Sequence, residues 1–143
     1  MGSVLSYVVG GPAAAAEEEP SAAESSGTSR VNAFHSSQRW KLHYDSAKQL
    51  NKLMVVDFSA SWCGPCKFIE PVFHEMSAKY PDVDFVKIDV DELSDVAREF
   101  GVQAMPTFVL LKQGKEMERI MGAKKDELDN KIRKHREAPK FAA

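Results

Sequence analysis

The sequence predicts an α/β fold: a central mixed β-sheet flanked by helices on both faces. Strand-like and helix-like patterns alternate from Val31 onward, the signature of that class. Leu53 to Phe58 is a nearly continuous apolar run, as expected of a strand buried on both faces. The pattern then ends in a hairpin and a helix, so the sheet is mixed rather than wholly parallel.

The elements follow in order. Val31 to Phe34 reads as a short edge strand. Ser36 or Ser37 caps a helix whose apolar face includes Trp40, Tyr44, Ala47 and Leu50. After the Leu53–Phe58 strand, Cys66, Ile69, Phe73, Met76 and Tyr80 recur at steps of three and four, one apolar helical stripe. Pro71 falls inside that helix, removes a backbone donor and is expected to kink it. Pro81-Asp82 ends the helix, and Val83 to Val90 is the next strand. Ser94 to Phe100 is a short helix stopped by Gly101. Thr107 to Leu111 and Glu116 to Met121 form the hairpin, turning at Gln113-Gly114. Lys124 to His135 is a charged helix with Leu128 and Ile132 facing inward. Residues 1–30 differ: they are rich in Ala, Ser, Gly, Pro and Glu, and bury too little apolar surface to offset chain entropy. The expected organisation is a disordered extension over 1–30, a folded domain over 31–137 and a flexible tail over 138–143.

Composition narrows the function. The 143 residues carry a net charge of −2, so no global basic field recruits nucleic acid or anionic membrane. Apolar runs are only a few residues long, far short of a membrane span. There are two cysteines, Cys63 and Cys66, too close in sequence to staple distant segments. Their use points to a reducing compartment, and hence the cytoplasm, where a thiol pair is catalytic or metal-binding. A structural zinc site wants four ligands, and the nearest histidines, His35 and His43, lie eight residues apart. No metal is therefore expected.

Cys-x-x-Cys at the end of a strand and the start of a helix reads as a redox site, placed where open α/β sheets put their sites. Attack on a disulfide requires a thiolate. At a helix start, unpaired amides and the positive end of the dipole favour that form of Cys63. Pro65 suits the first turn, where its missing N–H has no partner to lose. Cys66, one turn on, lies within reach but deeper. The expected sequence is attack by Cys63, a mixed disulfide, then attack by Cys66 on Cys63 to release reduced target. Asp57 is the candidate base for Cys66, since a carboxyl inside an apolar strand has a raised pKa. Lys87, in Phe85-Val86-Lys87-Ile88, is its candidate partner. The plainer alternative places both at wet strand ends with no role.

The segment Val55-Val56-Asp57-Phe58-Ser59-Ala60-Ser61-Trp62-Cys63-Gly64-Pro65-Cys66-Lys67 resembles the active site of the thioredoxin family. Pro71, Met105-Pro106-Thr107, Gly114 and Gly122 also match its pattern, so the resemblance covers Val31 to Glu137. It is most similar to the plant h-type, through Phe58-Ser59-Ala60-Ser61-Trp62 and the glycine-bearing extension. Some thioredoxins have a second Trp where this chain has Ser59.

The resemblance implies a thioredoxin fold and a protein-disulfide reductase with no bound cofactor beyond the reversible Cys63–Cys66 disulfide. It implies a thioredoxin reductase as electron donor, disulfide-containing proteins as targets, and a monomer. Asp57 would be the buried base, with Lys87 near it. Gly64 and Pro65 would tune the redox potential. Pro106 would be cis, where sequence alone expects an ordinary trans proline. Met105 would offer backbone hydrogen bonds to an extended target segment. Trp62 would face the target, unless it simply packs. Two other functions compete: a thioredoxin-fold chaperone or binding module, and a glutaredoxin-like reductant fed by glutathione. The intact site disfavours the first, and Gly-Pro between the cysteines disfavours the second.

Met1-Gly2-Ser3-Val4-Leu5-Ser6 fits the N-myristoylation pattern at Gly2. One acyl chain gives marginal, reversible membrane binding. No cysteine neighbours Gly2, no Lys or Arg precedes Arg30, and Glu17-Glu18-Glu19 is repelled by anionic lipid. Attachment is therefore expected to be weak. The same composition argues against a secretory signal or an organelle transit peptide.

Overall fold

Leu53–Ser59 (β2) is the centre of the molecule, and all seven of its residues are buried. It pairs in parallel with Asp84–Asp89 (β3), which pairs in parallel with Asn32–Phe34 (β1). On its other side β2 pairs antiparallel with Thr107–Lys112 (β4), which pairs antiparallel with Lys115–Met121 (β5). The sheet order is β1-β3-β2-β4-β5, a mixed sheet as expected. This computed structural model describes residues 27–136. The expected extension up to residue 26, the candidate acylation position Gly2, Glu137 and the expected 138–143 tail lie outside the described residues.

Side chains alternate across β2, so its two faces feed two cores. Leu53 and Val55 join Phe85, Phe108 and Leu110 beneath Gly64–Lys79 (α2) and Lys125–His135 (α4). Met54, Val56 and Phe58 join Val86, Ile88 and Val109 beneath Ser37–Ala47 (α1) and Ser94–Glu99 (α3). Asp57 therefore falls on the α2 face by parity alone. That parity, with the strand's direction, carries the chain from a buried carboxyl to the start of α2.

Local chemistry explains the boundaries. Ser36 caps α1, its hydroxyl accepting from the Arg39 N–H. Leu50 departs from expectation: it lies beyond α1 and is 53% exposed. The chain tightens there, with Gln49 N–H donating to Ser46 O and Leu50 N–H to Ala47 O, which swings Leu50 off the apolar face. Pro71 sits inside α2, which continues through it to Lys79. Tyr80 caps that helix rather than joining it and stays buried. The hairpin turns where predicted, with φ of 54° at Gln113 and 82° at Gly114, the left-handed pair such a turn requires. Ser29 and Arg30, assigned from sequence to the extension, bond to α2. Ser29 Oγ lies 2.5 Å from His74 Nδ1, and the Arg30 N–H donates to Ser77 Oγ at 2.8 Å.

Candidate active site

The strand-to-helix turn after β2 puts Cys63 at the N-cap of α2, with φ −93° and ψ 116°. A cap residue offers its side chain to the unpaired amides of the first turn. Here the Cys66 N–H donates to Cys63 Sγ at 3.2 Å. Cys63 and Cys66 are joined in a disulfide, with Cα atoms 5.3 Å apart. Pro65 occupies the first turn of α2, where no helical bond is lost. A Cβ at Gly64 would meet no atom within 4 Å, so the turn between the cysteines is open to an approaching chain.

The sequence placed Cys66 deeper than Cys63. In the disulfide the two residues are almost equally covered, 5% and 4% exposed, because bonded sulfurs shield each other. Their neighbours differ. Cys63 Sγ lies 3.6 Å from the Met105 carbonyl oxygen. Cys66 instead lines a cleft of roughly 340 Å³ with Asp57, Ser59, Glu70 and Lys87. The Met105–Pro106 peptide is cis, and Pro106 is buried at the foot of β4. Its carbonyl accepts from the Gly122 N–H at 2.8 Å, and Thr107 Oγ1 donates to Ala104 O at 2.6 Å. Trp62 is 65% exposed, and its indole N–H donates to Asp91 Oδ2 at 2.9 Å.

Asp57 is 2% exposed, and its Oδ1 is buried with no hydrogen-bond partner. Burial pushes its pKa from an ordinary 3.8 up to about 7. The Lys87 charge opposes that rise and the Glu70 charge adds to it. Lys87 is the register partner of Asp57 across β2 and β3, as the sequence suggested. Its ammonium nevertheless bonds elsewhere, donating to Glu70 Oε2 at 2.5 Å. Glu70 is held down to about 2, by His74 first and by Lys87 against its own partial burial. His74 Nε2 stands 3.7 Å from Glu70 Oε2, an ion-pair distance, so the Lys87 contact is the closer bond. Glu70 and Asp91 escaped the sequence reading. Glu70 had a signal, since it stands four residues after Cys66 and so on the same helical face. Asp91 had none, because its pairing with Trp62 depends on how the β3–α3 loop folds back.

A disulfide at a helix N-terminus, at the end of a central strand and beside a cis-proline loop, defines a thiol-disulfide oxidoreductase of thioredoxin fold. The comparisons agree. The family profile described as Thioredoxin matches residues 36–134. Thioredoxin H2 of Arabidopsis thaliana is 60% identical over 136 residues, covering 95% of this chain and 99% of the relative. Thioredoxin H2-2 of Oryza sativa subsp. japonica is 57% identical over 114 residues, covering 79% of this chain and 85% of the relative. The crystal structure of thioredoxin NaTrxh from Nicotiana alata superposes with a TM-score of 0.76 at 78% identity, covering 79% of this chain and 98% of that one. The chain belongs to the thioredoxin family and is most like its plant h-type members. It is a protein-disulfide reductase whose redox centre is the Cys63–Cys66 pair itself, and the family needs no bound cofactor. Thioredoxins act on protein disulfides and are recharged by thioredoxin reductase. Among the described residues, no helix is long and apolar enough to cross a membrane.

Proposed function

We propose that Cys63 is the attacking thiolate, Cys66 the resolving thiol and Asp57 the base that serves it. Cys63 sulfur attacks one sulfur of the target disulfide and expels the other as a thiolate, leaving a mixed disulfide. Asp57 carboxylate takes the Cys66 proton, and Cys66 sulfur attacks Cys63, expelling the second target thiolate. The target gains two electrons and the protein ends as its disulfide. The observation that carries this assignment is the buried, unpartnered Oδ1 of Asp57, a residue that lines the same cleft as Cys66. A pKa near 7 suits a group that must both take and return a proton at neutral pH. The Cys66 amide at Cys63 Sγ supports the choice of Cys63 as the more acidic thiol.

Gly64 leaves room for the target at the turn, and Pro65 stiffens it; both thereby tune the potential. Lys87 tunes Asp57 through its charge. Trp62 and the Met105–Pro106 loop form the target-facing surface, with Met105 offering backbone groups to an extended segment. The test is insulin reduction with NADPH and a thioredoxin reductase. Cys63→Ser abolishes turnover, and Cys66→Ser accumulates a covalent target adduct visible by intact mass. Adduct formation by Cys63→Ser but not by Cys66→Ser would reverse the two roles.

We also propose a cytoplasmic monomer in which residues 1–30 form an extension, 31–137 the catalytic domain and 138–143 a tail. Support for acylation at Gly2 comes from the Met-Gly-x-x-x-Ser start. A single chain, with no basic patch beside it, makes membrane binding weak and reversible. An intact mass from the native cell equal to the Met-cleaved chain alone would remove this attachment.

A further inference from the structure

We propose that Glu70 is a positioning residue for the disulfide exchange: it draws the Lys87 ammonium away from Asp57 and leaves that carboxyl without a partner. The inference rests on the assignment of Asp57 as the base. Asp57 and Lys87 are paired in register on neighbouring parallel strands, with side chains on the same face of the sheet. A buried carboxyl one strand from a lysine would ordinarily take that lysine as its counter-ion. Here the lysine is engaged elsewhere, at 2.5 Å from Glu70 Oε2, and Asp57 Oδ1 has no hydrogen bond at all.

The helix explains why. Glu70 follows Cys66 by four residues, so it projects from the same face of α2 and lines the same cleft. It is 37% exposed and Lys87 30%, so their pair forms where both charges keep some water. A Lys87–Asp57 pair would have to be made in the dry floor, where desolvation is costly. His74, one turn further along α2, stands 3.7 Å from the same Glu70 Oε2 and helps keep it anionic. The charged and titratable groups around Asp57 in the cleft are Cys66, Lys67 and Glu70 from α2, and Lys87 and Asp89 from β3. From β4 its register partner is the apolar Phe108.

Glu70 thus acts on Asp57 in two ways of the same sign. Its own charge opposes ionisation of Asp57, and its hold on Lys87 weakens the lysine charge that favours it. A neutral side chain at position 70 frees Lys87 to turn inward. Asp57 would then be a more strongly ionised but weaker base, and the resolving step would shift to lower pH.

The experiment follows the Asp57 carboxyl carbon by NMR against pH, in the oxidised full-length protein. Oxidised cysteines do not titrate, so their signals do not interfere. Glu70→Gln is expected to lower the Asp57 midpoint by roughly 1–3 pH units, the effect of a newly close cation. In a Lys87→Met background the same substitution is expected to shift it by less than half as much. An unmoved midpoint in Glu70→Gln would overturn the proposal. An equal shift with and without Lys87 would also overturn it, since Glu70 would then act by direct repulsion alone. The assignment of Asp57 as base is read separately, from the pH profile of insulin turnover by Asp57→Asn. A profile unchanged by that substitution would overturn the base assignment, and this proposal with it, whatever the titration shows.

Discussion

Replacing Asp57 with Asn should make the protein more stable above neutral pH and slower as a reductant. The stability part follows from the buried carboxyl. Its pKa is about 7 in the folded state against an ordinary 3.8. Below about pH 4 both folded and unfolded chains hold the proton, and the group costs nothing. As pH rises, the unfolded chain releases its proton while the folded one keeps it, so stability falls. Above about pH 7 both are ionised and the cost is constant, near 4 kcal/mol by linkage. The same relation puts the cost at about 2 kcal/mol at pH 5 and about 4 kcal/mol at pH 8. Asn carries no proton to lose, so this slope disappears. Its amide adds its own unmet hydrogen bonds, about 1–3 kcal/mol, but that cost does not vary with pH. The informative quantity is therefore the change in the stability difference between the two pH values. Urea unfolding of both oxidised proteins should show Asp57→Asn gaining about 2–3 kcal/mol relative to its parent on going from pH 5 to pH 8. A difference that stays flat across that range would refute the raised pKa, and with it the reason for choosing Asp57 as base.

Two further outcomes test the scaffold and the target surface. Ile132→Ala removes a fully buried side chain that joins α4 to the sheet. It should cost about 2–5 kcal/mol in denaturant unfolding, and a loss below about 1 kcal/mol would mean that α4 is not integral to the core. Trp62→Ala should leave stability within about 0.5 kcal/mol, because the side chain is 65% exposed. It should lower kcat/KM for insulin reduction by roughly five- to tenfold, the value of a lost contact slightly above 1 kcal/mol; unchanged turnover would remove Trp62 from the target surface.

Much of the architecture was legible because its signals are local. The Leu53–Phe58 run, the three-and-four spacing from Cys66 to Phe73 and the Gln113-Gly114 turn each depend on a few neighbouring residues. Leu50 departs from its expected place for a related reason. Periodicity extends a stripe until something breaks it, and the tightened turn after Ala47 bears no mark in composition. At the site, Cys63 and Cys66 could be found from spacing, and Asp57 from its isolation in an apolar strand. Lys87 was found too, but its bond was not. Its place on the neighbouring strand follows from the alternating element pattern, whereas the competing carboxylate comes from a helix packed above the strands.

The sequence alone determined the redox pair, the helix start that holds it, and the apolar strand that buries Asp57. These are set by chain order and by periods of two and 3.6 residues, which need no knowledge of distant contacts. Tertiary structure decided which polar groups meet. Glu70 rather than Asp57 bonds Lys87, Asp91 holds the Trp62 indole, and Ser29 reaches His74. Pairing of this kind depends on which group can be approached at the lower desolvation cost, and that cost exists only once sheet and helices have closed over one another.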